Sequence, residues 1–304
     1  MRGAALLLAL ATPVLAAAPG RARLVEAAAL AAALDGPSAP VVLDARDRRA
    51  FEAGRVPGSR NVDWRDFSAV RPGGFTFLFR GSSRWGLLAD GAKLAPKLRA
   101  LGLSAARSVV VVGGADGWGE EGRIGWMLLA LGARDVALLD GGFPAWEKLE
   151  GARIERGPPS GAAPLPGDFE PSPQPGRRIA ADPLRDLVAS GQAVLLDART
   201  VEEFAGKKLT GQTRGGRLPG ARLVPLAALR APDGTYASAE ALAAAAGPLP
   251  ADQPVVTYCT GGVRSALLAF LLEARLGVVA ANYDGSLWEW SSREDLPMET
   301  GTGR

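Results

Sequence analysis

Cys259 is the one cysteine of a 304-residue chain, and it stands where a reactive sulfur would be placed. The preceding run, Val255-Val256-Thr257-Tyr258, is β-branched and aromatic and predicts a buried strand. The apolar stretch Ala266 to Leu272 predicts a helix. Between them, Thr260-Gly261-Gly262-Val263-Arg264 predicts a tight loop that opens with the thiol. Such a loop can curl its N–H groups toward one point, and the helix N-terminus adds partial positive charge. A free thiol ionises near roughly pH 8.5, and this environment is the kind that lowers that value and supplies thiolate. A lone cysteine in mid-strand or mid-helix would instead read as inert packing. The strand–loop–helix corner points to nucleophilic sulfur chemistry.

Composition narrows the rest. There are no histidines, so a Ser-His-Asp triad and any histidine general base are excluded. One cysteine and no histidine leave no ligand set for zinc, haem or an iron–sulfur cluster, and neither a metal nor a cofactor is expected. Hydrophobic residues make up 47% and charged residues 22%, with a net charge of +3. That is globular composition with a diffuse anion preference, not a nucleic-acid-binding stripe. Residues 1–18 read as a signal peptide: Arg2 gives a positive start, Ala4 to Leu15 is apolar, and Val14-Leu15-Ala16-Ala17-Ala18 offers small-residue cleavage positions. A mature protein that is periplasmic or secreted is expected, without a membrane anchor, since no later run of ~20 apolar residues follows. In that compartment a single thiol has no internal partner, so its retention needs a reason.

The chain repeats itself. Val41-Val42-Leu43-Asp44-Ala45-Arg46 returns as Val194-Leu195-Leu196-Asp197-Ala198-Arg199. Gly54-Arg55-Val56-Pro57-Gly58-Ser59 returns as Gly216-Arg217-Leu218-Pro219-Gly220-Ala221. Val109 to Val112 returns as Val255 to Tyr258. Asp140-Gly141-Gly142-Phe143-Pro144-Ala145-Trp146 returns as Asp284-Gly285-Ser286-Leu287-Trp288-Glu289-Trp290. The spacing drifts but the order never changes. Strands alternating with helical stretches predict an α/β fold with a mostly parallel sheet in each half. The expected division is a first domain over 22–151, a linker over 152–178 with a Pro/Gly-rich core, and a second domain over 179–298. The first half carries extra residues over about 63–90. The second has an insertion between Arg199 and Gly216 that holds Lys207, Lys208 and Arg214. Gly113 stands where Cys259 stands, so the first half is expected to be scaffold and the second catalytic. A ligand cleft at their junction follows.

These landmarks together resemble the tandem two-domain form of the rhodanese family. The Asp-x-Arg strand end, the Pro-Gly turn, the Cys loop and the closing Asp-Gly-Gly-Phe and Asp-Gly-Ser segments carry the likeness across about residues 22–296. The resemblance implies two domains, each an open, mostly parallel five-stranded sheet flanked by helices. It also implies a sulfurtransferase that moves a sulfane sulfur from thiosulfate or 3-mercaptopyruvate to a thiol or cyanide acceptor, or to a protein thiol, through a persulfide on Cys259. The family's cradle maps onto Thr260, Gly261, Gly262, Val263 and Arg264. Asp197 maps onto the aspartate beside the site, with Arg199 as its ion-pair partner. Arg214 lies near where mercaptopyruvate-using members place a carboxylate-binding arginine. A second substrate arginine, expected six residues after the aspartate, is replaced by Glu203. In the proton relay of some mercaptopyruvate enzymes, a hydroxyl two residues after the cysteine and a first-domain histidine take part; Gly261 and Arg55 stand there instead.

Two other readings compete. A Cys-x5-Arg phosphatase or arsenate reductase needs arginine six residues after the cysteine, and that position is Ser265, with Arg264 one residue early. A persulfide carrier or interaction module that does not turn over would share every motif.

Overall fold

The computed structural model describes residues 21–73, 83–159 and 165–301. The expected signal peptide, part of the 63–90 segment and part of the linker lie outside the described residues.

The first domain runs β1 (Arg21–Val25), α1 (Ala27–Leu34), β2 (Val41–Asp44), α2 (Arg48–Ala53), β3 (Arg60–Asn61), a 3-10 turn (Trp64–Phe67), α3 (Gly91–Ala100), β4 (Val109–Val112), α4 (Glu120–Ala130), β5 (Asp135–Leu139) and α5 (Gly142–Lys148). The second runs α6 (Ala181–Ser190), β6 (Val194–Asp197), α7 (Val201–Ala205), β7 (Arg222–Leu223), a 3-10 turn (Leu226–Leu229), α8 (Ala239–Ala246), β8 (Val255–Tyr258), α9 (Arg264–Leu276), β9 (Ala281–Asn282) and α10 (Ser286–Trp290). The first sheet is ordered β1-β5-β4-β2-β3 and the second β7-β6-β8-β9; all ladders are parallel. The central strands β2, β4, β6 and β8 are buried along their whole length. That is why they read as unbroken apolar runs and not as alternating ones.

The second sheet has four strands where five were expected. The place that β1 holds in the first sheet is reduced to one parallel bridge, Arg178 to Asn282. Pro171, Pro173 and Pro175 precede it and lack the N–H a ladder needs. The N–H groups of Ser172 and Gln174 between them are already bonded to Leu131 and Ala130 of the first domain. From residue 165 the linker therefore lies along the first domain as an extended strap, with its own Phe169 buried.

Each Asp-x-Arg pair forms a clip. Arg46 grips Asp44 through Nε and Nη2 and reaches the Gly54 carbonyl at 2.7 Å. Arg199 grips Asp197 in the same way and reaches Gly216 at 2.8 Å. The repeated motif thus ties a strand end to the Pro-Gly turn in both halves.

The halves meet through α4 and α9, the helices that follow the two equivalent loops. Small residues make the approach possible. A Cβ on Gly122 would stand 2.4 Å from Leu267 Cα, and one on Gly125 would stand 2.9 Å from the Phe270 ring. The closing aspartates then lace the domains together. Asp140 accepts the Tyr236 N–H (2.7 Å) and an Arg275 N–H (2.9 Å) from the second domain. Asp284 accepts the Leu88 N–H (2.7 Å) from the first.

Candidate active site

β8 ends at Tyr258 and α9 begins at Arg264, so residues 259–263 form the turn at the carboxyl end of the sheet. Gly262 adopts φ +77°, a conformation that favours glycine. Its N–H donates to Cys259 Sγ at 3.1 Å. The backbone N–H groups of Gly261 and Ser265 also act on the sulfur, and Ser265 Oγ stands 3.5 Å from it. The predicted convergence of donors is therefore present. Burial pushes the thiol up, but the Arg264 charge and these hydrogen bonds outweigh it and hold Cys259 below the ordinary thiol value.

Sequence reasoning missed Ser286. It occupies φ +48°, the one positive-φ residue other than glycine among the described residues. Its hydroxyl accepts the Cys259 N–H at 3.0 Å and donates to the Tyr283 carbonyl at 2.7 Å. Its counterpart in the first half is Gly142, at φ +59°. The exchange of glycine for serine at a left-handed position was the available signal, since a side chain kept there is strained without a compensating contact.

Glu203, singled out from sequence for not being an arginine, is the partner of Arg264. Both Nη atoms bond its carboxylate, at 2.7 and 2.8 Å, and Thr260 Oγ1 adds a third bond at 2.8 Å. The same carboxylate closes the α7 capping box with Thr200. Burial opposes its charge, but the Arg264 pair and the hydrogen bonds hold its acid at about 2. Arg264 in turn packs its guanidinium 5.4 Å from the centre of the Trp118 ring.

A cavity of about 370 Å³ opens above the sulfur. Cys259, Thr260, Gly261, Val263, Arg264 and Trp288 line it from the second domain, and Trp64, Arg65, Trp118 and Glu120 from the first. Trp85 of the first domain meets Trp288 edge-on, with centroids 5.4 Å apart. The cleft lies at the junction of the domains, as the duplication predicted. Its walls are more aromatic than cationic.

Arg214 is elsewhere. All four of its hydrogen bonds go to backbone carbonyls, those of Ser291, Leu296, Trp290 and Arg293. The resemblance put it, just before the Pro-Gly turn, near a carboxylate-binding position; the fold uses it to gather carbonyls from the end of α10 and the segment that follows. Arg264 is also not a free guanidinium, being committed to Glu203. Asp197 and Arg199 stay beneath the site as the clip described above. Lys207 and Lys208 are exposed and do not line the cavity. Among the described residues no group of three or more His, Cys, Asp or Glu side chains converges as a metal would require.

In the first half the equivalent loop is filled from within. A Cβ on Gly113 would stand 2.5 Å from the Glu121 carboxyl carbon. That carboxylate accepts hydrogen bonds from Arg230 (2.7 Å) and Tyr236 (3.0 Å) of the second domain. A fixed carboxylate thus occupies the space beside the position where the second half carries its thiol.

The model of the rhodanese-like domain matches this chain twice, over residues 26–149 and 180–293. The chain belongs to the rhodanese family. This rhodanese-like chain is 31% identical to the thiosulfate sulfurtransferase of Corynebacterium glutamicum, over 92% of this chain and 91% of that one. It is 33% identical to the probable 3-mercaptopyruvate sulfurtransferase of Pseudomonas aeruginosa, over 92% and 99%. The crystal structure of the 3-mercaptopyruvate sulfotransferase SseA of Escherichia coli superposes with a TM-score of 0.70 at 24% identity, covering 87% of this chain and 98% of that one; it shares the fold. The tandem rhodanese architecture and sulfurtransferase activity follow from these relationships.

Proposed function

We propose that Cys259 carries a sulfane sulfur between a small donor and a nucleophilic acceptor as a persulfide. The observation that carries this reading is the convergence of N–H groups on a buried sulfur at the floor of a cavity. In the first step the thiolate attacks the outer sulfur of thiosulfate. The S–S bond of the donor breaks, sulfite leaves with the electron pair, and Cys–S–S⁻ remains. With 3-mercaptopyruvate the bond that breaks is C–S: the carbon leaves with the electron pair as the enolate of pyruvate and takes up the proton that the donor's own thiol gives up. In the second step a thiolate or cyanide attacks the outer sulfur and the Cys259 thiolate is restored. Neither sulfur-transfer step needs a base, because the same donors stabilise thiolate and persulfide alike. That suits a chain without histidine.

Thr260, Gly261, Val263 and Arg264 are the proposed substrate contacts in the loop, and Gly262 the contact to the sulfur. Arg264 contributes charge from within its pair with Glu203. The same commitment weighs against a phosphatase, whose arginine must face a tetrahedral oxyanion. A carrier differs from an enzyme only in turnover, so one experiment serves both. Intact-mass spectrometry after thiosulfate or 3-mercaptopyruvate should show one added sulfur, about 32 Da, on the wild type and none on Cys259→Ser. Cyanide should then be consumed over many cycles; a single stoichiometric burst would make the protein a carrier. An unmodified wild-type cysteine would sink the reading. We further propose export to the periplasm or beyond, on the strength of residues 1–18, with a mature start near residues 17–19; full-length cytosolic protein would refute it.

A further inference from the structure

Arg123 lies in the first turns of α4, in the domain without the cysteine, and is fully buried. Its Nη2 donates to the Gly86 carbonyl at 2.7 Å and its Nη1 to the Gly262 carbonyl at 3.4 Å. Its guanidinium lies 4.7 Å from the centre of the Trp126 ring. It forms no ion pair among the described residues, unlike the arginines around it. A buried cation is costly without an anion, and more so in the N-terminal half of a helix, whose dipole repels it. Burial accordingly pushes Arg123 down to about 10, while Asp284 and Cys259 act in the opposite direction.

The charges around the sulfur come from several elements. Arg264 on α9 has the largest electrostatic effect on the thiol, and it is matched by Glu203 on α7. Arg199 beside β6 is matched by Asp197. Asp284, which closes β9, is matched by Arg178. Glu120 and Arg65 stand at the cavity wall, with burial raising the Glu120 acid. Tyr258, next in the chain, is pushed well above its usual value by burial. Arg123 is left as the buried cation without a carboxylate of its own. It also grips the catalytic loop at the residue whose N–H faces the sulfur. The Gly262 carbonyl takes a second bond from Asn282 Nδ2 at 3.2 Å, so the peptide is held from both domains. The Gly86 segment presses on the same loop: a Cβ on Gly86 would stand 2.6 Å from the Gly261 carbonyl oxygen.

We infer that Arg123 is a positioning residue for Cys259, delivered by the cysteine-less domain: it anchors Gly262 by its carbonyl and so holds in place the residue whose N–H faces the sulfur, and its charge, in no ion pair, favours the anionic sulfur. The inference rests on Cys259 as the nucleophile. Its test is the pH dependence of Cys259 alkylation by iodoacetamide, which needs no sulfur donor. A failure here is therefore distinguishable from a failure of persulfide formation. Arg123→Met should raise the midpoint of thiolate formation by about one pH unit and slow alkylation about tenfold below that midpoint. Arg123→Lys, which keeps the charge, should restore most of the wild-type midpoint. Should Arg123→Met not fold, Arg123→Gln keeps a donor toward Gly86 without the charge, and should shift the midpoint likewise. A folded neutral variant with the wild-type midpoint would overturn the inference. So would Lys and neutral variants displaced equally, because packing and not charge would then be responsible.

Discussion

The pairing of Arg264 with Glu203 sets the acid behaviour of the site. Glu203 has its acid lowered from 4.5 to about 2 in the folded protein. A group with a depressed folded value contributes stability above its unfolded value and loses it as pH falls through the folded one. Its contribution is therefore complete above about 4.5 and gone near 2. Glu203→Gln should cost about 3 kcal/mol or more at neutral pH, because it leaves a buried arginine unmatched. The gap to wild type should close as pH falls across that window, as thermal melts at a series of pH values would show; a gap independent of pH would refute the assignment. Arg214 gives the opposite kind of prediction. Arg214→Ala should lose about 1–3 kcal/mol of stability through its orphaned carbonyls, with sulfur transfer per folded molecule unchanged. A selective slowing of the donor half-reaction at wild-type melting temperature would return Arg214 to the substrate.

At the scale of elements, α4 and α9 decide how closely the catalytic loop meets the other domain. Gly122 opposes the backbone of Leu267, which cannot swing aside as a flexible side chain would. Gly122→Ala should therefore force the helices apart and cost about 1–3 kcal/mol, although alanine is the better helix former. The same displacement would withdraw Arg123 from Gly262, so alkylation of Cys259 should slow along with the fall in melting temperature. Gly151→Ala meets nothing within 4 Å but sits at φ +74°, so it carries backbone strain alone and should leave the thiol untouched. Comparing the two separates the packing of the domains from general destabilisation.

For the whole molecule, the scaffold domain is part of the site. Trp64, Arg65, Trp118 and Glu120 wall the cavity, and Arg123 reaches the loop from the same domain. The face of α9 that meets α4 presents Leu267 and Phe270, buried in the intact chain. A fragment of residues 179–298 would expose that face, a patch of the kind that drives association. It should self-associate on gel filtration and bind a hydrophobic dye, and its thiol should react with iodoacetamide at a pH midpoint higher than in the intact protein, as it does in Arg123→Met. A monomeric fragment with the intact protein's thiol midpoint would show the second domain to be self-sufficient.

By itself the sequence determined what is local or repeated. The strand, glycine turn and helix around Cys259 are neighbours in the chain, and β-branching, glycine and apolar periodicity act over a few residues. The duplication was legible because two copies carry the same punctuation in the same order, and the Asp-x-Arg clip because its members are two residues apart. The five-stranded count failed in the second sheet because prolines and bonds to the first domain consumed the segment that would have paired. The partners of the site were decided only by the tertiary structure. Glu203 and Arg264 are 61 residues apart, Ser286 and Cys259 are 27 apart, and Arg123 and Gly262 are 139 apart. Whether a guanidinium faces substrate, a carboxylate or a row of carbonyls depends on what packing brings within about 3 Å of it, and side-chain type alone does not encode that.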